Sequence, residues 1–351
     1  MPSYDILCIG AGPTGLACAI EAKRAGMHAL VVDKGTVCNS LYHYPLNMTF
    51  FTTPELLEIG DLPMSSYGEK PTRVEALKYY RKTAEFYELE IRMFERVIGV
   101  SGHVSNFEVA TVSPEGIESR HRAKRIIIAT GYYDLPNEMH VPGENLPHVA
   151  HYYTDPFAFW RQGVVVIGGK NSAAIAALEL YRNGAQVTLV HRGSRLSNSI
   201  KYWIKPDIEN RLKAGQIEGL LDTTVTEITS DAVVVRTTAG ERRISAKQVF
   251  ALTGYHPDYR FIESLGVHLD PVTRKPALEQ QSLESNIPGI HLAGVVIGGR
   301  DTGEIFIENG RFHGKLIIDA LTGRASPPGA GSIAGGSPGS DNMRSGDLPG
   351  G

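Results

Sequence analysis

Two short glycine-rich runs carry the residue types and spacing that bear most directly on chemistry: Gly10-Ala11-Gly12-Pro13-Thr14-Gly15 and Gly168-Gly169-Lys170-Asn171-Ser172-Ala173. Each follows an apolar stretch and precedes an alanine-rich one, the context in which a strand turns into a helix. In such a unit the first glycine permits the tight turn. The second lets backbone approach a pyrophosphate, and the third lets the helix pack on the strand. The amides that open the helix then face the phosphates, and the helix dipole favours the same negative charge. Gly10, Gly12 and Gly15 match this spacing, with Pro13 and Thr14 inside the turn. Asp33, followed by Lys34, lies at about the ~20-residue distance expected of an acid that accepts ribose hydroxyls.

The second run departs from that pattern. Lys170 stands where the second glycine would be; its side chain hinders the closest backbone approach, while its ammonium can partner a phosphate. The following apolar stretch, Val187 to Val190, ends in His191-Arg192 and not in an acid. A cation there pairs with a 2′-phosphate, which favours NADPH over NADH. Arg195 and Lys201 either add to that positive pocket or are solvated loop charges. Two dinucleotide loops on one polypeptide then imply FAD exchanging electrons with NADPH.

Where those electrons go next is the open question, because no cysteine pair stands ready to take them. Cys8, Cys18 and Cys38 are the only cysteines, and their spacings of 10 and 20 residues fit neither an internal redox dithiol nor a zinc site. Cys8 falls in the first strand and Cys18 in the first helix, as inert core residues. Cys38 falls in the loop after the second strand and is expected to be the more exposed of the three.

The elements that must position these loops read as an α/β chain of two dinucleotide-binding, Rossmann-like domains. Strands are expected over Tyr4 to Ile9, Ala29 to Val32 and Arg125 to Ala129, and again over Val164 to Ile167, Val187 to Val190 and Gln248 to Leu252. Helices are expected over Gly15 to Ala25, Thr72 to Tyr87 and Ser172 to Asn183. Both halves close on strand, Thr, Gly, Tyr (IIIATGYY and VFALTGYH), a weak internal repeat. Val97, Thr130 and Gly131 at the ends of first-half strands are read as further FAD contacts. The segment Ile290 to Leu321 has no glycine loop of its own and is expected to return to the first domain. The expected division is therefore 1–135 with 255–324 for FAD and 136–254 for NADPH. A disordered Pro/Gly/Ser tail is expected over 325–351.

Three further segments are candidates for the flavin and its substrate. The run Asn39 to Thr53 is dense in aromatics and reads either as a lining of the flavin ring, with Tyr42, His43 and Tyr44 nearest, or as a packed aromatic loop. Gly303 to Leu321 reads as one helix whose N-terminus would stabilise charge on a reduced flavin, with His313 inside it as a structural histidine. Lys201-Tyr202-Trp203-Ile204-Lys205-Pro206 reads either as a lid or anionic docking patch, or as an amphipathic surface turn.

The 351 residues, 42% hydrophobic with a net charge of -3, support a sizeable core and argue against nucleic acid. No apolar run approaches the ~20 residues of a membrane span. The N-terminal run leads straight into a glycine loop without a basic leader, so a cytoplasmic location is expected.

Together the segments SLYHYPLNMTFFTTPELLEIGDLP, IIIATGYY, VVVIGGKNSAAIAALEL, SIKYWIKPDI, GYHPDY and IFIENGRFHG resemble the YpdA-like bacilliredoxin reductases. These are bacillithiol disulfide reductases within the low-molecular-weight thioredoxin reductase type of flavoprotein. The resemblance runs from Asp5 to about Gly323. It implies a homodimer with FAD and NADPH that reduces a low-molecular-weight thiol disulfide, bacillithiol disulfide, with a bacilliredoxin as partner. Members often carry a cysteine where this chain has Thr14, so a mechanism through that thiol does not carry over. Thioredoxin reductases place a Gly-Asp pair against the flavin ribityl chain; here Gly294-Val295 stands there, with Asp301 as the acid that replaces it. The residues leave two alternatives open. One is a flavin-dependent monooxygenase, from which the Phe-x-Gly lead of that signature is missing before His151-Tyr152-Tyr153. The other is a non-catalytic redox sensor that binds both nucleotides.

Overall fold

A computed structural model describes residues 3–324; the tail expected over 325–351 lies outside the described residues. The chain opens with β1 (Ser3–Ile9), α1 (Pro13–Arg24) and β2 (Ala29–Val32), followed by the short α2 (Asn39–Tyr42). Next comes α3 (Arg73–Phe86). Thr72 and Glu75 start it with a capping box, each side chain taking an otherwise orphaned backbone N–H. Strands β3 (Glu90–Arg92), β4 (Arg96–His103), β5 (Asn106–Val112) and β6 (Glu118–Ile128) complete the first run.

β1 pairs in parallel with β2 on one edge and β6 on the other, and β3 continues the sheet beyond β2. Its near-continuous apolar sequence suits a strand covered on both faces. β6 is longer than its apolar end suggests, because within one seven-stranded sheet it takes different partners along its length. Residues 118–123 pair antiparallel with β5, and 126–128 pair with a strand from the far end of the chain.

Two short strands, β7 (Leu135–Pro136) and β8 (Val149–Ala150), lead into the second half. There β9 (Gly163–Ile167), α4 (Asn171–Arg182) and β10 (Gln186–Val190) repeat the opening plan. They are followed by α5 (Lys205–Lys213), β11 (Glu218–Leu220) and a three-stranded antiparallel meander of β12 (Thr224–Ile228), β13 (Ala232–Thr237) and β14 (Gly240–Ser245). β15 (Gln248–Ala251) completes a parallel sheet in the order β11-β10-β9-β15-β8. β16 (Tyr255–His256) then pairs antiparallel with β7, so the two crossings between the halves are bonded to each other.

The chain returns through α6 (Tyr259–Ser264) to β17 (Ile290–Leu292), the parallel partner of β6. The first hydrophobic core accordingly draws on residues from both ends of the sequence, from Tyr4 to Ile128 and from Ile262 to Ile318. The expected single helix over Gly303 to Leu321 is broken into α7 (Ile307–Gly310) and α8 (His313–Thr322). Close packing accounts for the break. A Cβ on Gly310 would lie 3.4 Å from the Gly294 Cα, and one on Gly314 would lie 2.7 Å from the Cys18 Cα of α1. α8 is thus laid directly on α1.

Candidate functional site

The two glycine loops open on one cleft of about 2710 Å³. The local geometry is the same in both. The Gly10 N–H donates to the Val32 carbonyl at 2.8 Å and the Gly168 N–H to the Val190 carbonyl at 3.0 Å. Gly10 takes φ +112°, and a Cβ there would stand 2.4 Å from the Ala129 carbonyl oxygen. A Cβ on Gly15 would lie 1.9 Å from the Gly10 carbonyl oxygen, so this glycine seats α1 on the turn and does not itself line the cleft. Gly12 differs from both: a Cβ there would meet nothing within 4 Å, because its outer face is the cleft. The Gly12 N-cap has no side-chain partner for the opening amides of α1. That is the arrangement of a phosphate cradle.

Asp33 stands at the end of β2, where its Oδ2 accepts the Ala11 N–H at 2.7 Å and its Oδ1 the Gly35 N–H at 2.8 Å. Burial raises its carboxyl above the ordinary value, against the pull of those two amides. Lys34 beside it is paired to Asp134 at 2.9 Å. Pro13, Thr14, Val97, Thr130 and Gly131 also line this end of the cleft. The Thr130 hydroxyl is buried without a hydrogen-bond partner, an arrangement that costs about 1–3 kcal/mol unless a ligand atom meets it. The open face of Gly12, the acid at Asp33 and this orphaned hydroxyl all fit a flavin dinucleotide.

At the other end, Gly168 takes φ +152°, with the Leu252 carbonyl oxygen 2.6 Å from a Cβ placed there. Gly169 is required for another reason: the His191 ring packs over it, 2.3 Å from where its Cβ would be. Burial and the Arg192 guanidinium both lower the His191 pKa, so the ring is neutral at pH 7 and the cationic role expected of this pair falls to Arg192. Lys170 is the extended, exposed N-cap of α4, its side chain out of the turn and on the cleft. Asn171 turns inward: its Oδ1 accepts the Lys201 N–H and its Nδ2 donates to the Ser199 carbonyl, both at 3.0 Å. Ser172 lines the cleft beside it.

Gly294 follows β17 at φ +81°, with the Thr14 side chain 3.0–3.2 Å from the position of a Cβ. Its N–H donates to His313 Nδ1 at 2.9 Å. Burial pushes the His313 pKa down to about 4, so the imidazole is a neutral acceptor with the structural role expected of it. Asp301 lies on the cleft wall, its Oδ1 accepting the Gly303 N–H at 3.3 Å. The helix expected to aim its dipole here is the single turn of α7, so its field is that of one turn only.

Tyr42 and His43 do not reach the cleft. As the last turn of α2 closes, Leu41 is directed inward, whereas Tyr42 is half exposed, edge-on to His43 and under the Arg73 guanidinium. Tyr44 is the residue that enters, meeting Tyr133 with ring centroids 4.7 Å apart. Tyr133 in turn contacts Tyr255 at 4.6 Å, and Tyr152 stacks on Tyr255 at 5.2 Å. These tyrosines join the two crossings between the halves. Sequence inspection shows Thr-Gly-Tyr twice, yet nothing in it signals that Tyr133 and Tyr255 touch. Cys38 is a second correction: it is 1% exposed, packed beneath the loop with its N–H on the Ala11 carbonyl, and not the open thiol its loop position suggests. Burial pushes the Cys8 thiol up to about 12 and raises those of Cys18 and Cys38 well above the ordinary range. None of the three is a thiolate at neutral pH.

Two nucleotide loops facing one cleft, one with an acid for ribose and one with a cation in its place, define a flavoprotein oxidoreductase that uses a nicotinamide nucleotide. Residues 7–294 match the pyridine nucleotide-disulphide oxidoreductase family, and the chain belongs to it. It is 45% identical over 321 residues to bacilliredoxin reductase Bdr of Bacillus subtilis (strain 168), covering 91% of this chain and 97% of that one. The bacillithiol disulfide reductase Bdr (YpdA) of Bacillus cereus superposes with a TM-score of 0.90 at 42% identity, over 92% of this chain and 100% of the other. Its counterpart from Staphylococcus aureus gives 0.87 at 38%, over 92% and 99%. The chain is a flavin-dependent disulfide reductase, as its sequence resemblance implied. Among the described residues no helix is long and apolar enough to cross a membrane.

Proposed function

We propose that this enzyme reduces a low-molecular-weight thiol disulfide, bacillithiol disulfide, with electrons from NADPH: NADPH, one proton and the disulfide give NADP⁺ and two thiols. The observation that carries the reading is one cleft lined by both glycine loops, with Cys8 and Cys18 buried away from it and Cys38, the one cysteine in its wall, only 1% exposed. Residues 1–135 with 255–324 form the FAD-binding unit and 136–254 the NADPH-binding unit. FAD, when bound, supplies the two-electron carrier between nucleotide and disulfide. The open face of Gly12 admits its pyrophosphate, Asp33 accepts from its ribose and the Thr130 hydroxyl gains the partner it lacks. Arg192 holds the 2′-phosphate of NADPH, and the neutral His191 acts as a spacer that keeps Gly169 in its turn. Since Thr14 is an alcohol and no cysteine is accessible, electrons pass to the disulfide without a relay thiol of this chain.

Anaerobic NADPH consumption by the flavin-loaded protein, with and without bacillithiol disulfide, tests this reading. Disulfide-dependent turnover is expected, retained in Cys38→Ser. Flavin bleaching without turnover on the disulfide refutes the substrate assignment, and loss of turnover in Cys38→Ser refutes the thiol-free path. For the nucleotide, Arg192→Ala is expected to lower kcat/KM for NADPH by about 10–100-fold while leaving NADH nearly unchanged, the scale of a charge-assisted hydrogen bond. An equal loss for both nucleotides would instead show that Arg192 shapes the loop.

A further inference from the structure

One group of cleft side chains belongs to neither nucleotide loop. Phe51 from the first half and Trp203 from the second meet edge to face, with ring centroids 5.9 Å apart at 70°. The Lys70 Nζ stands 4.0 Å from the centroid of Trp203, and the Lys201 Nζ 5.5 Å from that of Phe51. All four residues line the cleft, and both lysines are half-buried. Lys205, one turn further on, is satisfied by Asn198 at 2.8 Å and Glu209 at 3.9 Å. Lys70 and Lys201 have only the rings: among the described residues neither ammonium has a carboxylate within ion-pairing reach. A ring face attracts a cation but does not neutralise it. Two uncompensated ammonium groups gathered on one aromatic pair therefore favour an anion between them.

We propose that Phe51, Lys70, Lys201 and Trp203 form the subsite for the substrate disulfide, a reading that rests on the disulfide reductase activity proposed above. The lysines take the carboxylate arms of the thiol halves, and the rings take their aliphatic and sulfur-bearing body, since divalent sulfur packs favourably against aromatic edges. The alternative anion, a nucleotide phosphate, is served elsewhere by the loop amides, Lys170 and Arg192. Moreover, Lys70 comes from the segment before α3, in the half that does not carry the second glycine loop. Lys201 is set in place by its N–H bond to Asn171. The subsite is thus complete only when both halves of the chain contribute to it.

The test uses the flavin-loaded enzyme, bacillithiol disulfide and the same disulfide with its carboxyl groups methyl-esterified. Lys70→Met is expected to raise KM for bacillithiol disulfide about tenfold at unchanged kcat, the scale of one charge-assisted hydrogen bond. KM for NADPH and the rate of flavin bleaching by NADPH should not move. Lys70→Arg should restore KM, and the ester should show a high KM that Lys70→Met does not raise further. In a Trp160→Phe background, quenching of Trp203 by the disulfide should report the same tenfold loss of affinity. An unchanged KM for the disulfide overturns the subsite. So does a rise confined to NADPH, which would make Lys70 a phosphate ligand, or an equal rise for acid and ester, which would make it packing alone. A wild-type enzyme that bleaches with NADPH but never turns over on the disulfide overturns the activity itself, and this is evident before any variant is made.

Discussion

Gly15→Ala should yield a colourless, poorly folded protein, and Gly12→Ala a well-folded but flavin-depleted one. The two residues lie in one turn and answer to different neighbours. A Cβ on Gly15 would sit 1.9 Å from the Gly10 carbonyl oxygen and 3.0 Å from its carbon, both main-chain atoms that no rotamer change can clear. Relief requires α1 to move off β1, carrying with it the amides of the loop and the Ala11 N–H that binds Asp33. Overpacking of this kind costs about 3 kcal/mol or more. Gly12 adopts φ -72° and ψ 174°, open to any residue, and its Cβ would meet no protein atom within 4 Å. Alanine there leaves the fold within about 0.5 kcal/mol of wild type and intrudes only on a ligand that approaches the backbone. Thermal unfolding paired with the flavin-to-protein absorbance ratio separates the two. A Gly12→Ala protein that binds FAD as tightly as wild type would remove the cradle from this position.

The second large effect is loss of stability in mild acid. His313 is 5% exposed, and its pKa is pushed down by burial to about 4 from an ordinary 6.5. Between those values the unfolded chain takes up a proton that the folded chain refuses, so folding grows weaker as pH falls through the window. Full loss amounts to about 3 kcal/mol, and the fall from pH 7 to pH 5 to about 2 kcal/mol. Above pH 6.5 the contribution is complete and the profile flat. His291, 1% exposed and also shifted down by burial, acts in the same direction. Urea midpoints measured at pH 7, 6 and 5 should decline accordingly. His313→Asn puts an amide oxygen where Nδ1 accepts the Gly294 N–H and does not titrate, so its midpoints should decline less. Parallel declines in the two proteins would assign the acid sensitivity to other groups.

The nucleotide-facing part of the site was largely open to sequence inspection, because its constraints are local. A tight turn, a close approach and a helix start each demand a residue type at a set spacing, which is why Gly10, Gly12, Asp33 and Gly168 could be located from their neighbours alone. The same holds for the return of the last segment, since a strand such as Ile290 to Leu292 without a glycine loop of its own must join an existing sheet. Side-chain direction was less accessible. In the aromatic run after Asp33, composition does not say which ring turns inward; the short helix α2 decides for Tyr44 over Tyr42 and His43. Loop position suggested an exposed Cys38, whereas packing against the glycine turn buried it.

The amino-acid sequence by itself determined the two strand-turn-helix units, the chemical character of each loop and the lack of a dithiol, since these depend on residues within one turn or one strand of each other. Only the tertiary structure decided that both loops face a single cleft, that Tyr133 and Tyr255 bind the two crossings together, and that Lys70 and Trp203, 133 positions apart in the sequence, share one subsite. Contacts between the halves arise from how two folded units are set against each other, and no periodicity or spacing along the chain encodes which side chains will then meet.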